Sequence, residues 1–328
     1  MTKKKNIKVS IVVPVYNVES SLRHCLDTLV HQDITIDEYE IILIDDGSAD
    51  SSLQICNEFA SKYDNIVVAT QINAGASVAR SKGIEMSNGE YIFFVDSDDY
   101  ITENVLNELY ERALENECDI LFFNYYVETE TKRRCNKTFE AINRNKVISG
   151  EYLAANIDDF GSLWRGIYKR DFIVGNSLRF TEGIIHQDTD FNYRAYPLAK
   201  RVMIVEMNVY HYRNIGESAT RSDKVEKLQL MSYSDFVVAK NIREFISSTN
   251  LPFDLKNHYS ELSNSLLISA LLILLEKRDV YGPFFVNKCV HYSFDNKLLP
   301  IKGKTHSWKT TLLIPFVNLI GWSLMHKR

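Results

Sequence analysis

The first hundred residues alternate short, β-branched apolar runs with stretches of helical periodicity, and no other feature narrows the fold as much. The runs are 9–13, 40–44, 66–69 and 91–95, and between them 20–31, 50–63 and 76–86 repeat apolar residues every three or four positions. Leu22, Leu26, Leu29 and Val30 form the stripe of the first helix, and Leu53, Ile55, Cys56 and Phe59 that of the second. Strands separated by single helices are joined by crossovers, so neighbouring strands run parallel and helices cover both faces. The sequence therefore predicts an α/β fold with a mainly parallel sheet. Further along it predicts a helix over 102–116 with Thr102 as N-cap, a strand over 119–124 and a polar surface hairpin or loop over 128–145. Structure resumes near 152–160, and a strand over 201–212 closes this part. Beyond 222 the pattern is helical to about 277, and its apolar run 266–275 is short enough to predict a buried core helix rather than a membrane span. The expected division is a first domain over 1–215 and a mostly helical region over 216–328.

Composition removes several classes. The 38 Lys and Arg against 43 Asp and Glu give a net charge of −5, which disfavours a nucleic-acid binder that works by phosphate neutralisation. With 17 Phe, 18 Tyr and 3 Trp the chain has ample core material, and with 13 Gly and 6 Pro it is neither collagenous nor low-complexity. Cys25, Cys56, Cys118, Cys135 and Cys289 are odd in number and scattered, so they read as free thiols in a reducing compartment. The opening residues lack the long apolar run and small-residue cleavage site of a signal peptide, and the expectation is an intracellular, cytoplasmic chain.

In parallel α/β sheets, ligands bind outside the carboxyl ends of the strands. Polar clusters follow all four early strands: Pro14-Val15-Tyr16-Asn17, Asp45-Asp46-Gly47-Ser48, Asn73-Ala74-Gly75-Ala76 and Asp96-Ser97-Asp98-Asp99. Turn chemistry explains one such cluster, not four in succession. Three carboxylates within four residues repel one another unless a cation lies among them. Two acids one residue apart can reach one hard divalent ion, Mg²⁺ or Mn²⁺, shared with the oxygens of a nucleotide diphosphate. No Gly-x-Gly-x-x-Gly follows the first strand and no P-loop is present, so a glycine cradle is not the device.

The segments Ser10–Asn17, Ile44–Ser48 and Gly89–Asp99 together resemble family 2 of the glycosyltransferases, over roughly residues 7–215. The resemblance implies a GT-A fold and an inverting transfer of sugar from a nucleotide-sugar, a UDP-sugar above all, to a hydroxyl of a glycan or lipid-linked glycan in surface polysaccharide synthesis. It implies a nucleotide-sugar half over about 1–100 and an acceptor half over 101–215. Pro14, Tyr16, Asn17, Asp46, Asn73, Gly75, Asp96 and Arg213 are the implied nucleotide-binding residues, with Asp46 accepting from uracil N3–H, Asp45 more buried, and Asp96 near the ribose. Asp98 is the implied metal ligand, with Asp99 its neighbour. The acceptor half matches through Trp164–Arg170, Arg179–Gly183 and Ile185–Phe191, where relatives read Glu-Asp and this chain reads Gln187-Asp188. Asp188 is then the general base, with Asp190 able to assist or substitute. Tyr210-His211-Tyr212-Arg213 and Gly216-Glu217-Ser218 resemble the region that closes over the diphosphate, though His211 by itself reads as a packed strand residue. Gln187 leaves open an alternative, a non-catalytic sugar-nucleotide-binding or scaffold protein. A nucleotidyltransferase is disfavoured, since the glycine-rich basic loop of that chemistry is missing.

The segment 312–325 is apolar but interrupted by Pro315, and Trp308, Trp322 and nearby Lys302, Lys304, Lys309, Lys327 and Arg328 flank or punctuate it. Two expectations stand side by side: a membrane-interface helix at the inner face of the cell membrane, or a core-packing C-terminal helix.

Overall fold

The computed structural model describes residues 6–214 and 224–325. Gly216, Glu217, Ser218, Lys327 and Arg328 lie outside the described residues. The chain divides into two compact units, Met1–Gly183 with Ala195–Gly216, and Ile184–Arg194 with Glu217–Arg328.

The first unit opens with β1 (Val9–Val15), α1 (Glu19–Val30), β2 (Tyr39–Asp45), α2 (Ser52–Ala60), β3 (Ile66–Thr70), α3 (Ala76–Met86) and β4 (Tyr91–Phe94). There follow β5 (Tyr100–Ile101), α4 (Leu106–Glu115), β6 (Ile120–Glu128), β7 (Arg133–Asn136), α5 (Gly150–Ala155), β8 (Gly166–Lys169) and α6 (Arg170–Gly175). α7 (Gln187–Leu198), whose residues up to Arg194 belong to the second unit, leads to β9 (Val202–Arg213). Along β1 the pleat sorts side chains by parity. Val9, Ile11, Val13 and Val15 enter the large core with Leu22, Leu26 and Leu29 of α1. Val12 points the other way, against Gly83 of α3, where any side chain would collide with it.

The sheet runs β3-β2-β1-β4-β8-β6-β9-β5, with β7 paired to β6. It is parallel across β3, β2, β1 and β4, as the alternation predicts. Beyond β4 it becomes mixed: β8 is antiparallel to both β4 and β6, β9 is parallel to β6, and β5 is antiparallel to β9. The expectation of a mainly parallel sheet is corrected to this extent. β8, the antiparallel strand that follows β4 in the sheet, is apolar and buried like the others, and periodicity carries no sign of direction.

The Thr102 expectation is also corrected. Its backbone N–H donates to Val209 O at 2.7 Å and its hydroxyl to Asn208 O at 2.9 Å, so Thr102 continues the β5–β9 contact instead of capping a helix. α4 starts four residues later, and its first N–H groups are satisfied from a distance in sequence. Val105 and Leu106 donate to Gln32 Oε1, and Asn107 to Asp33 Oδ1.

The second unit holds α8 (Val225–Ser248), α9 (Phe253–Glu276), α10 (Arg278–Asp295), α11 (Trp308–Thr311) and α12 (Ile314–Met325). Among the described residues α9 is the one helix long and apolar enough to cross a membrane by length and composition, and half of its apolar window is buried. Leu267, Ile268, Leu271 and Leu274 pack there with Phe236 of α8 and Val286 and Val290 of α10.

Candidate active site

The polar loops after β1, β2, β3 and β4 are tied to one another or to β9 by hydrogen bonds. Asn17, with a left-handed φ of 51°, accepts the Ala49 N–H at its Oδ1 (2.8 Å), while its own N–H donates to Ser48 Oγ (3.1 Å). Asp45 closes the turn below, accepting from the N–H groups of Gly47 and Ser48 at 3.3 Å each. Gly47 has φ +74°, and a Cβ there would stand 3.1 Å from Asn73 N, so the turn needs glycine for its backbone and for that approach.

Asp46 reaches the next loop. One of its oxygens accepts from Gln71 Nε2 and the Ala74 N–H, the other from the Gly75 N–H, all at 2.8 Å. Gly75, at φ 90°, is the N-cap of α3. Asp45 and Asp46 are both buried, Asp45 slightly the more so. Tyr16 and Asn73 are exposed on the same loops, and Pro14 is half-buried within β1.

The acid cluster after β4 resolves its own repulsion in part. Arg80 of α3, itself buried, donates to Asp96 Oδ1 at 2.5 Å. Asp99 is 2% exposed and accepts from Tyr210 Oη (2.8 Å) and from the Arg213 N–H (2.7 Å). Burial pushes the Asp99 carboxyl well above the usual range, Asp98 and Asp96 add to the push, and its two donors oppose it. The Tyr210 hydroxyl also accepts the Asp96 N–H (3.1 Å), and its ring stacks on Trp164 at 4.3 Å, so one buried phenol fixes both ends of the acidic turn. Arg213 is thereby anchored at the end of β9 by its backbone. His211 is buried and stacked on Tyr100 at 4.2 Å, with its ring nitrogens 3.0 Å from Glu128 Oε1 and Thr102 Oγ1.

Asp98 is the exposed acid of the cluster. Among the described residues no group of three or more His, Cys, Asp or Glu is placed to hold a metal ion. A hard cation shared with a diphosphate does not need one: one or two carboxylates complete its shell with phosphate oxygens and water. Of the three acids Asp98 is the exposed one, while Asp96 accepts from Arg80 and Asp99 from Tyr210 and the Arg213 N–H.

In the second unit, α7 begins at Gln187, which is buried, while Asp188 is half-buried in its first turn and accepts the Thr189 N–H at 2.9 Å. Asp190 is different. It is 1% exposed, with one oxygen accepting from Arg194 Nη2 (2.7 Å) and the other from Asn241 Nδ2 (2.8 Å). It is a strut between α7 and α8. His186 precedes them with Nδ1 2.8 Å from Asp235 Oδ1, a bond that raises the imidazole above its ordinary value against the opposing effect of burial. Asp190→Ala is expected to cost about 3 kcal/mol, because it leaves Arg194 facing a vacated buried site, and a urea melt measures it.

Arg80, Gln71 and Asp235 were not singled out from sequence, and Tyr210 and His186 entered only as members of longer matching segments. For Arg80 a signal existed: it interrupts the buried side of α3, between Ala79 and Gly83, where an arginine must have a partner.

Comparison with known proteins agrees with this architecture. The sequence model of Glycosyl transferase family 2 matches residues 10–174, half of the chain, and the chain belongs to that family. It is 34% identical to glycosyltransferase GlyA of Streptococcus pneumoniae serotype 4, over 63% of this chain and 30% of GlyA. It is 28% identical to the minor teichoic acid biosynthesis protein GgaB of Bacillus subtilis, over 92% of this chain and 34% of GgaB. The first curated relatives are matched over only 30% to 63% of their own length. In fold the chain is similar to S. aureus TarS 1–349 in complex with UDP-GlcNAc, at TM-score 0.71 and 19% identity, covering 97% of this chain and 89% of TarS 1–349.

Proposed function

We propose that the protein is an inverting glycosyltransferase that moves a sugar from a UDP-sugar to a hydroxyl of a glycan or lipid-linked glycan during assembly of a cell-surface polymer. The observation that carries this reading is the bonding of the polar strand-end loops into one framework that leaves Tyr16, Asn73 and Asp98 exposed. Family membership supports the reaction class. The similarity to GgaB, a minor teichoic acid biosynthesis protein, supports a surface polymer, and the UDP-GlcNAc complex of TarS supports the donor class.

In this reading Pro14, Tyr16, Asn17, Asp46, Asn73, Gly75, Asp96 and Arg213 contact the nucleotide. A carboxylate has about four lone-pair positions, and Asp46 uses three, so one remains for a uracil N3–H. Asp98 would hold Mg²⁺ or Mn²⁺, which when bound supplies positive charge to the diphosphate. Asp188 takes the proton of the acceptor hydroxyl. The oxygen attacks the anomeric carbon, the bond from that carbon to the diphosphate oxygen breaks, and UDP leaves with the electron pair. One displacement inverts the carbon, whereas a retaining double displacement would need a second carboxylate as nucleophile. The Arg213 guanidinium stabilises the charge on departing UDP.

Buried Gln187, where the family resemblance calls for an acid, favours a second reading, a non-catalytic sugar-nucleotide-binding protein. UDP release from a panel of UDP-sugars with Mn²⁺ separates the two. Release from one sugar well above the rest, lost in excess chelator, is the expected result. Tight UDP binding with no release from any sugar supports the second reading.

A further inference from the structure

α11 and α12 carry an apolar surface that their own unit leaves uncovered. α12 packs by a narrow strip. Val317 is buried in the core cluster that holds Leu298, Leu299 and Ile301, and a Cβ at Gly321 would stand 2.9 Å from Leu299 Cδ1. Asn318 locks the strip in register, accepting the Ile301 N–H at 2.7 Å and donating to Ile301 O at 3.0 Å. The sequence left a core-packing helix and a membrane-interface helix as alternatives; in the structure one strip of α12 packs in the core and the rest of its apolar surface is exposed. Away from the strip, Leu312, Phe316, Leu319 and Trp322 are 57% to 66% exposed, and Trp308 is 71% exposed. A water-facing helix normally carries polar residues on that side, and a contiguous exposed apolar face marks a contact surface.

Charge identifies the partner. Residues 296–328 contain six Lys and Arg and no Asp or Glu, in a chain of net charge −5, so residues 1–295 carry −11. Lys302, Lys304 and Lys309 are exposed beside the apolar helices in sequence, and the stretch bearing the first two is held in place by Asn264 Nδ2, which donates to Lys302 O (2.9 Å) and Lys304 O (2.7 Å). In an otherwise acidic protein, a stretch with six basic and no acidic residues, bearing the apolar α12 with Trp322 near its end and Trp308 ahead of it in α11, matches a surface that is anionic outside and apolar beneath. Tryptophan rings favour the headgroup level, lysines the lipid phosphates, and a short apolar helix the plane of the interface.

We propose that the 308–325 segment docks the protein on an anionic phospholipid bilayer, with α12 lying in the interface. This goes beyond the glycosyl-transfer reading and stands without it, since docking is read with no turnover. The test is sedimentation of the full chain with phosphatidylglycerol-containing vesicles and with pure phosphatidylcholine vesicles, together with tryptophan emission. The expected result is binding to the anionic vesicles alone, weakened by salt, with a blue shift from Trp308 and Trp322. Phe316→Asp with Leu319→Asp should abolish binding. Each of Lys302→Gln, Lys304→Gln and Lys309→Gln should weaken it by about fivefold without touching apolar packing, which keeps the test decisive if the aspartate variant unfolds. UDP release should be unchanged throughout. An intact chain that binds neither vesicle, or both equally, overturns the proposal. So does a dimer that the lysine-independent Phe316→Asp change alone converts to a folded monomer without vesicle binding having been present, since the face then belongs to a second copy.

Discussion

Asp188→Asn is expected to lower kcat for sugar transfer by about 10² to 10⁴, the range that general-base catalysis contributes, while UDP affinity stays within twofold or so of the parent. The isosteric amide keeps an acceptor oxygen for the Thr189 N–H, so the first turn of α7 and the melting temperature should be preserved. Asp190 is the control, and its geometry makes the contrast sharp. Both of its oxygens are occupied by Arg194 and Asn241, and it is almost fully buried, so its replacement should show first as lost stability. Initial rates with donor and acceptor saturating, UDP titration calorimetry and thermal melts on both variants measure this. If Asp188→Asn keeps most of the rate, or Asp190→Asn loses rate with an unchanged melt, the base has been placed two residues from its true position.

The elements that sequence reasoning reads well here are those whose stabilisation is local or repetitive. β1 and β2 announce themselves as apolar runs because they are buried on both faces, and α3 begins and ends where its periodicity does, at Ala76 and Met86. Thr102 fails for the opposite reason. A threonine before a helical pattern is a sound cap by local chemistry, but its N–H and hydroxyl are claimed by β9, more than a hundred residues away, and Gln32 caps α4 in its place. Strand direction beyond β4 is illegible on the same grounds.

The candidate site divides in the same way. Its acids are visible because Asp, Gly and Ser cluster at strand ends. Their partners are not, since Arg80 meets Asp96, Tyr210 meets Asp99 and Asp235 meets His186 only after folding. The acid cluster therefore looked from sequence as if it required a cation throughout. Arg80 answers for Asp96, and the burial of Asp99 raises its affinity for a proton, which relieves the repulsion from another side. The repulsion inside the cluster is therefore eased in part by Arg80, a partner that the sequence does not display.

Asp98→Ala is the most consequential change outside α7. Asp98 is exposed, and an exposed carboxylate beside two others adds little to stability, so the melt should shift by less than about 0.5 kcal/mol equivalent. Its loss should nevertheless remove the dependence of UDP binding on Mn²⁺ or Mg²⁺, and with it several kcal/mol of leaving-group stabilisation, a fall in turnover of about 10³ or more. Asp96→Asn is the informative comparison: it weakens the pair with Arg80, which is buried, and should therefore lower the melting temperature as well as donor affinity. UDP titrations with and without Mn²⁺, run on parent, Asp98→Ala and Asp96→Asn, separate a metal ligand from a framework acid. Metal-enhanced UDP binding that survives Asp98→Ala, or parental turnover that is indifferent to excess chelator, would remove Asp98 from the role and leave Arg213 as the charge that meets the departing diphosphate.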